Sequence, residues 1–147
     1  MRSDEQCNAA AVATILSESV ERRPLSSRTA REGVRRVERL ADGYILKQFE
    51  FAADDPPVRR PWQREHDALR HLRDEHLPAS VGYATEFTNG KRIVRYVREF
   101  VPGEPIPRFD RGTAVEAGAL LASLHGEGVV TDDALTQNFL RAPDGRL

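Results

Sequence analysis

Two charged residues stand where charge is costly. In "YILKQFEF", residues 44–51, strand alternation puts Ile45, Lys47, Phe49 and Phe51 on one face and Tyr44, Leu46, Gln48 and Glu50 on the other. Lys47 therefore points with the apolar set. In "PWQREHDALRHLRDEH", Trp62, Glu65, Leu69 and Leu72 recur at helical spacing, which places Glu65 within the stripe that should face a sheet. Burying either charge alone costs several kcal/mol, so the least costly arrangement pairs Lys47 with Glu65 across a strand and helix interface. Such a pair is a weak source of stability. A functional reason to keep it is that a fixed lysine can hold a phosphate while a glutamate orients it. The plainer alternative lets Lys47 snorkel to solvent and leaves Glu65 at the rim of its stripe. These two residues alone leave both readings open.

A second constellation lies near the C-terminus. In "LHGEGVVTDDALTQNFLRAPDGRL", Asp133 and Asn138 have the spacing D-x-x-x-x-N after the apolar pair Val129–Val130. A carboxylate beside a hydroxyl and an amide oxygen for a hard cation are parts of phosphoryl-transfer chemistry. The spacing by itself is common, and its value depends on the elements that precede it.

Those elements read as follows. Residues 4–20 form an amphipathic helix with Asp4 as N-cap and Ala9, Val12, Ile15, Leu16 and Val20 as its stripe. "RRPLSS" breaks that pattern. Two strand-like segments flank Asp42-Gly43, and "VGYATEF" and "RIVRYVREF" flank Asn89-Gly90, which predicts two β-hairpins. Between them a helix runs from Pro61 to about Glu75. "VPGEPIP" continues neither strand nor helix and reads as a hinge. A helix follows in "GTAVEAGALLASLHGEG", with Val115, Leu120, Leu121 and Leu124 on or near one face and Gly126 or Gly128 at its end. The fold class is α+β, a small antiparallel sheet of two hairpins carrying one helix.

Composition narrows the function classes. The 147 residues, 39% hydrophobic, suffice for one domain with a core or for a domain and part of another. The 22 basic and 23 acidic residues nearly cancel, so no global field marks nucleic acid as a partner. Locally the segment 21–39 is arginine-rich, either as a solvated face or to meet phosphate. The one cysteine, Cys7, precludes an intrachain disulfide and fits a reducing cytoplasm. Apolar runs fall well short of the roughly 20 residues of a membrane span, and the N-terminus lacks a signal-peptide pattern.

The order strand lysine, helix glutamate, hairpin, Pro/Gly hinge, helix, Asp and Asn resembles the protein-kinase-like superfamily. It looks closest to the bacterial lipopolysaccharide kinases that phosphorylate Kdo or heptose. The resembling stretches are "SSRTAREGVRRVERLADGYILKQF", "REHDALRHL", "REFVPGEPIP" and "LHGEGVVTDDALTQNFL". The resemblance implies an appendage at 1–24, a kinase-like N-lobe at 25–101, and a hinge with an incomplete helical C-lobe at 102–147. It implies ATP and magnesium as cofactors and a hydroxyl-bearing sugar or lipopolysaccharide-core acceptor. Lys47 would hold the phosphates with Glu65 as its partner. Asp133 would be the catalytic carboxylate and Asn138 the metal ligand. The backbone of Glu99, Phe100 and Val101 would hold adenine.

Departures from the family pattern are specific. No G-x-G-x-x-G precedes the lysine strand; its place is taken by "SSRTAREG", read as a turn in which Ser26, Ser27, Arg28 and Thr29 contact phosphate. Thr131 and Asp132 occupy the two positions before Asp133, where a His and an Arg or Gly are expected. On the resemblance the chain is truncated before the Asp-Phe-Gly region, with apolar surface left to favour self-association. Cytoplasmic localisation is expected, with peripheral contact at the inner membrane. The competing expectation is a pseudokinase or nucleotide-binding module that binds a partner without catalysis.

Overall fold

The computed structural model describes residues 6–30, 33–57, 59–72, 75–130 and 138–147. It divides into two compact units, one of residues 1–70 and 78–100, the other of residues 71–77 and 101–147.

The first unit begins with α1 (Ala9–Glu18), then β1 (Arg22–Ala30), β2 (Gly33–Leu40), β3 (Tyr44–Ala52), α2 (Pro61–Leu72), β4 (Ser80–Thr88) and β5 (Lys91–Glu99). The strands form one antiparallel sheet in the order β1-β2-β3-β5-β4. Both expected turns are present: Asp42-Gly43 joins β2 to β3, and Asn89-Gly90, with φ of 49° and 71°, joins β4 to β5.

Strand β1 corrects the sequence reading. Arg22–Ala30 pairs with β2 along its whole length, so Ser26, Ser27, Arg28 and Thr29 lie on a strand and not in a turn. Pro24 is tolerated because the register slips between Pro24 and Ser26, with Leu25 as the extra residue of a bulge. The sheet therefore has one strand more than two hairpins supply.

Helix α1 starts later than expected. Cys7 is drawn into a β-bridge with Tyr83, each amide donating to the other's carbonyl at 2.9 Å, and Asn8 turns the chain with φ of 52°. Gly82 permits this approach, since a Cβ there would meet the Cys7 carbonyl. The bridge also covers part of the edge strand β4. The helix ends at Glu18, the serine hydroxyl of Ser17 bonding back to the Thr14 carbonyl. Val20 is consequently outside the stripe and 92% exposed. Asp4, the expected N-cap, lies outside the described residues.

The sheet is covered on both faces. Val12 of α1 packs with Leu40, Leu46 and Val97 on one side, all essentially buried. On the other, Trp62 of α2 packs with Phe51, Tyr83, Val94 and Tyr96, its ring stacked on Phe51 at 5.7 Å.

The second unit contains β6 (Glu104–Pro105), α3 (Arg111–Gly126) and β7 (Leu140–Arg141). The hinge segment thus does contribute a strand, two residues long, paired with β7. Asp110 caps α3 by accepting from the Thr113 amide at 2.7 Å. The helix ends with Gly128 and Val129 amides bonded back to His125 and Leu124. Its buried stripe is Thr113 and Ala117, with Leu120 and Leu124 half-buried. Val115, expected on that face, is 68% exposed, because two residues from either buried position is about 200° of helical rotation.

Candidate functional site

Lys47 and Glu65 meet. Lys47 Nζ donates to both oxygens of Glu65 at 2.8 and 2.7 Å, the lysine side chain being mostly buried and the glutamate about one-third exposed. Strand β3 aims the lysine at the α2 side of the sheet, and α2 presents the glutamate one residue before the buried His66.

Glu65 serves a second cation that sequence reading missed. Arg98 Nε lies 2.9 Å from Glu65 Oε1, an ion-pair contact without hydrogen-bond alignment. The signal for it was available in "RIVRYVREF", where alternation puts Arg92, Val94, Tyr96 and Arg98 on one face, the same anomaly that singled out Lys47. One carboxylate between two cations leaves the site with a positive excess. Burial holds the Lys47 ammonium below its ordinary value; Glu65 opposes this, while the nearby charges of Arg98 and Arg35 add to it. An anion placed here would relieve the repulsion.

Beneath Lys47 runs a buried polar chain. The Lys47 ammonium lies 6.0 Å from the centroid of the Tyr96 ring, and Tyr96 sits opposite Lys47 in the β3–β5 register. The Tyr96 hydroxyl is 3.0 Å from Ser80 Oγ, which is 2.7 Å from His66 Nδ1. His66 Nε2 completes the chain 3.2 Å from Cys7 Sγ. Burial pushes the Tyr96 phenol well up and the His66 imidazole down, so both are neutral at pH 7. This chain fixes α2, and with it Glu65, against the sheet.

The other expected residues are placed as follows. Ser26 and Arg28 share the Lys47 face of the sheet by register, whereas Ser27 and Thr29 lie on the opposite face with Arg36 and Val34. The Glu99 and Phe100 amides already donate to Ala79 and Gly43 at 2.8 Å each. The Glu99 carbonyl accepts from Arg98 at 3.0 Å, and Val101 is half-buried. In the second unit, Asn138 is exposed and stands immediately before Phe139, which is buried edge-on against Phe109 at 5.4 Å. Arg141 steadies this segment through Glu116 at 2.6 Å and Thr113 Oγ1 at 3.1 Å. Asp133, with Thr131 and Asp132, lies outside the described residues.

The family model for the "Phosphotransferase enzyme family" matches residues 21–141, a span that takes in Lys47, Glu65, Arg98, Asp133 and Asn138. A comparison with the curated proteins finds no match. The mixed α+β architecture, with five antiparallel strands and their helices, agrees with a kinase-like N-lobe. A charged pair held on the α2 face of that sheet is therefore found in a chain that belongs to the phosphotransferase enzyme family.

Proposed function

We propose that this protein is an ATP- and magnesium-dependent phosphotransferase of the lipopolysaccharide kinase type, acting on a hydroxyl of a sugar or lipid-linked sugar. The observation that carries the reading is the mostly buried Lys47, gripped by both oxygens of Glu65 on a face with positive excess. Such a donor set suits a phosphate chain.

In this reading residues 25–101 bind the nucleotide and residues 102–147 carry the catalytic loop, with the 1–24 segment preceding them. Lys47, oriented by Glu65, binds the phosphates. Asp133 accepts the proton of the attacking hydroxyl as the oxygen-to-phosphorus bond forms and the bond to the ADP oxygen breaks. Asn138 offers an amide oxygen of the kind a hard cation takes. Magnesium would neutralise the charge that develops on the phosphoryl oxygens. The lipopolysaccharide-type acceptor is supported by the resemblance of the Ser26–Arg28 segment, which carries hydroxyls and guanidinium in place of glycines. The location proposed is the cytoplasm, at the inner membrane's cytoplasmic face when the acceptor is lipid-linked. Among the described residues no helix is long and apolar enough to cross a membrane.

The test is thermal stability under ATP with and without magnesium, alongside transfer of labelled γ-phosphate to Kdo- or heptose-bearing acceptors. Ligand at 100 times its Kd stabilises a native state by about 2.7 kcal/mol. The reading expects that gain to need magnesium and to vanish in Lys47→Ala and Asn138→Ala. Magnesium-dependent binding without transfer to any acceptor would make the chain a nucleotide-binding module. No stabilisation at millimolar ATP would sink both readings.

A further inference from the structure

The two faces of the sheet treat arginine differently. On the α1 face, Arg22 pairs with Glu38, Arg36 with Glu50 and Arg95 with Glu86. On the Lys47 face the register brings Arg23 opposite Arg39 and Arg28 opposite Arg35, two directly opposed pairs of like charge. No Asp or Glu of the five strands lies on this face. Among the described residues no carboxylate contacts any of these four side chains, all of them exposed. Arg39 instead lies over the Phe100 ring, 3.9 Å from its centroid.

This arrangement is unfavourable for the unliganded protein. Like charges directly opposite on antiparallel strands destabilise a sheet. The bulge at Leu25 enforces it: were Leu25 paired in regular alternation, Ser26 and Arg28 would fall on the face opposite to Arg23. Guanidinium pairs whose Cβ atoms are about 5 Å apart can converge on one phosphate group, each offering parallel N–H donors. Arg35 links the ladder to Lys47: on the same face of β2 it neighbours Val37, the residue paired with Lys47, and its charge disfavours the lysine's ammonium.

We propose that Arg28 and Arg35, with Arg23 and Arg39 behind them, form an anion-binding ladder for a multiply charged phosphate group beside Lys47. This rests on the phosphotransferase reading above. The ladder does by side chains what a glycine-rich turn does by backbone amides. The phosphate belongs either to the nucleotide or to a phosphorylated acceptor, and one experiment separates the two.

Calorimetric titrations would use inorganic tripolyphosphate, ATP, and a sugar monophosphate added to ATP-saturated protein. The proteins are the full chain, Arg28→Gln/Arg35→Gln, Lys47→Met, and Arg36→Gln as a control on the opposite face. The double variant should weaken one of the anions by about tenfold to a hundredfold, as expected for lost charge-assisted hydrogen bonds, with Arg36→Gln unchanged. Loss of tripolyphosphate and ATP binding assigns the ladder to the nucleotide. Loss of the sugar monophosphate alone assigns it to the acceptor. If every anion binds the double variant as it binds the parent while Lys47→Met loses ATP, the ladder is overturned and the phosphotransferase reading stands. Tripolyphosphate binding that depends on Arg28 and Arg35, without any transfer activity, leaves the ladder and removes the phosphotransferase reading. An unliganded melting temperature in the double variant at or above that of the parent confirms that folding is not what was lost.

Discussion

The α1 face and the α2 face of one sheet obey different rules. The α1 face is built for stability: a buried aliphatic cluster of Val12, Leu40, Leu46 and Val97, flanked by arginines that each meet a glutamate. The α2 face has an equally dense aromatic core of Phe51, Trp62, Tyr83 and Tyr96, yet among the described residues the one carboxylate Glu65 stands between Lys47 and Arg98. Among the described residues only Glu65, supplied by the helix, pairs with Lys47 and Arg98. The same five strands carry both patterns, so the difference lies in which side chains the pleat turns to each side. Charge balanced within the sheet supports the fold; charge left unbalanced beside a fixed lysine would be relieved by an anion.

The comparison can be broken in several ways. The largest effect is expected for Lys47→Met, which removes the proposed phosphate cation while keeping an apolar body in the site. Transfer should fall on the order of a hundredfold to a thousandfold, as when a single charge-stabilising donor is removed from an active site. The urea midpoint should hardly move, because Glu65 keeps Arg98. Unfolding of Lys47→Met would instead make the pair a structural one. On the opposite face the signs reverse: Leu46→Ala should cost about 2–5 kcal/mol in urea unfolding, with transfer per folded molecule unchanged.

His66 offers a pH-dependent test on the α2 face. Burial holds its folded pKa below the ordinary 6.5, with Asp67 acting to raise it and Arg70 to lower it. As pH falls below 6.5 the unfolded chain takes up the proton first. Stability is therefore full above the ordinary value and is lost as pH falls toward the folded pKa. Urea midpoints between pH 8 and 5 should decline more steeply in the parent than in His66→Gln. Equal slopes would show that this imidazole is not held neutral by burial. The smallest effect concerns the arginines themselves. Arg28→Gln should leave the unliganded protein unchanged or raise its stability by some tenths of a kcal/mol, by relieving repulsion from Arg35. Glu50→Gln on the balanced face should lower it by a similar amount. Loss of stability in Arg28→Gln would reveal a partner for that side chain and dissolve the contrast.

Much of this was legible in the sequence. Alternation in "YILKQFEF" fixed the side to which Lys47 points, and the spacing of Trp62, Glu65 and Leu69 put the glutamate toward it. Asp42-Gly43 and Asn89-Gly90 marked the turns because few residue pairs tolerate that backbone. The helix stripe of "GTAVEAGALLASLHGEG" was read one position wrong at Val115. Strand β1 was missed because Pro24 and adjacent serines are local signals for a break, and a bulge that accommodates them is seen only against a partner strand.

Within each segment the sequence by itself determined parity: which residues share a face, where a turn is allowed, and which charges stand among apolar neighbours. Those properties follow from backbone periods of 2 and 3.6 and need no partner. The tertiary structure alone decided how the faces of different strands line up. Register is a non-local quantity, and a single extra residue at Leu25 reverses the parity of everything before it. That is why the second claim of Arg98 on Glu65, and the pairing of Arg28 with Arg35, emerge only when the sheet is assembled.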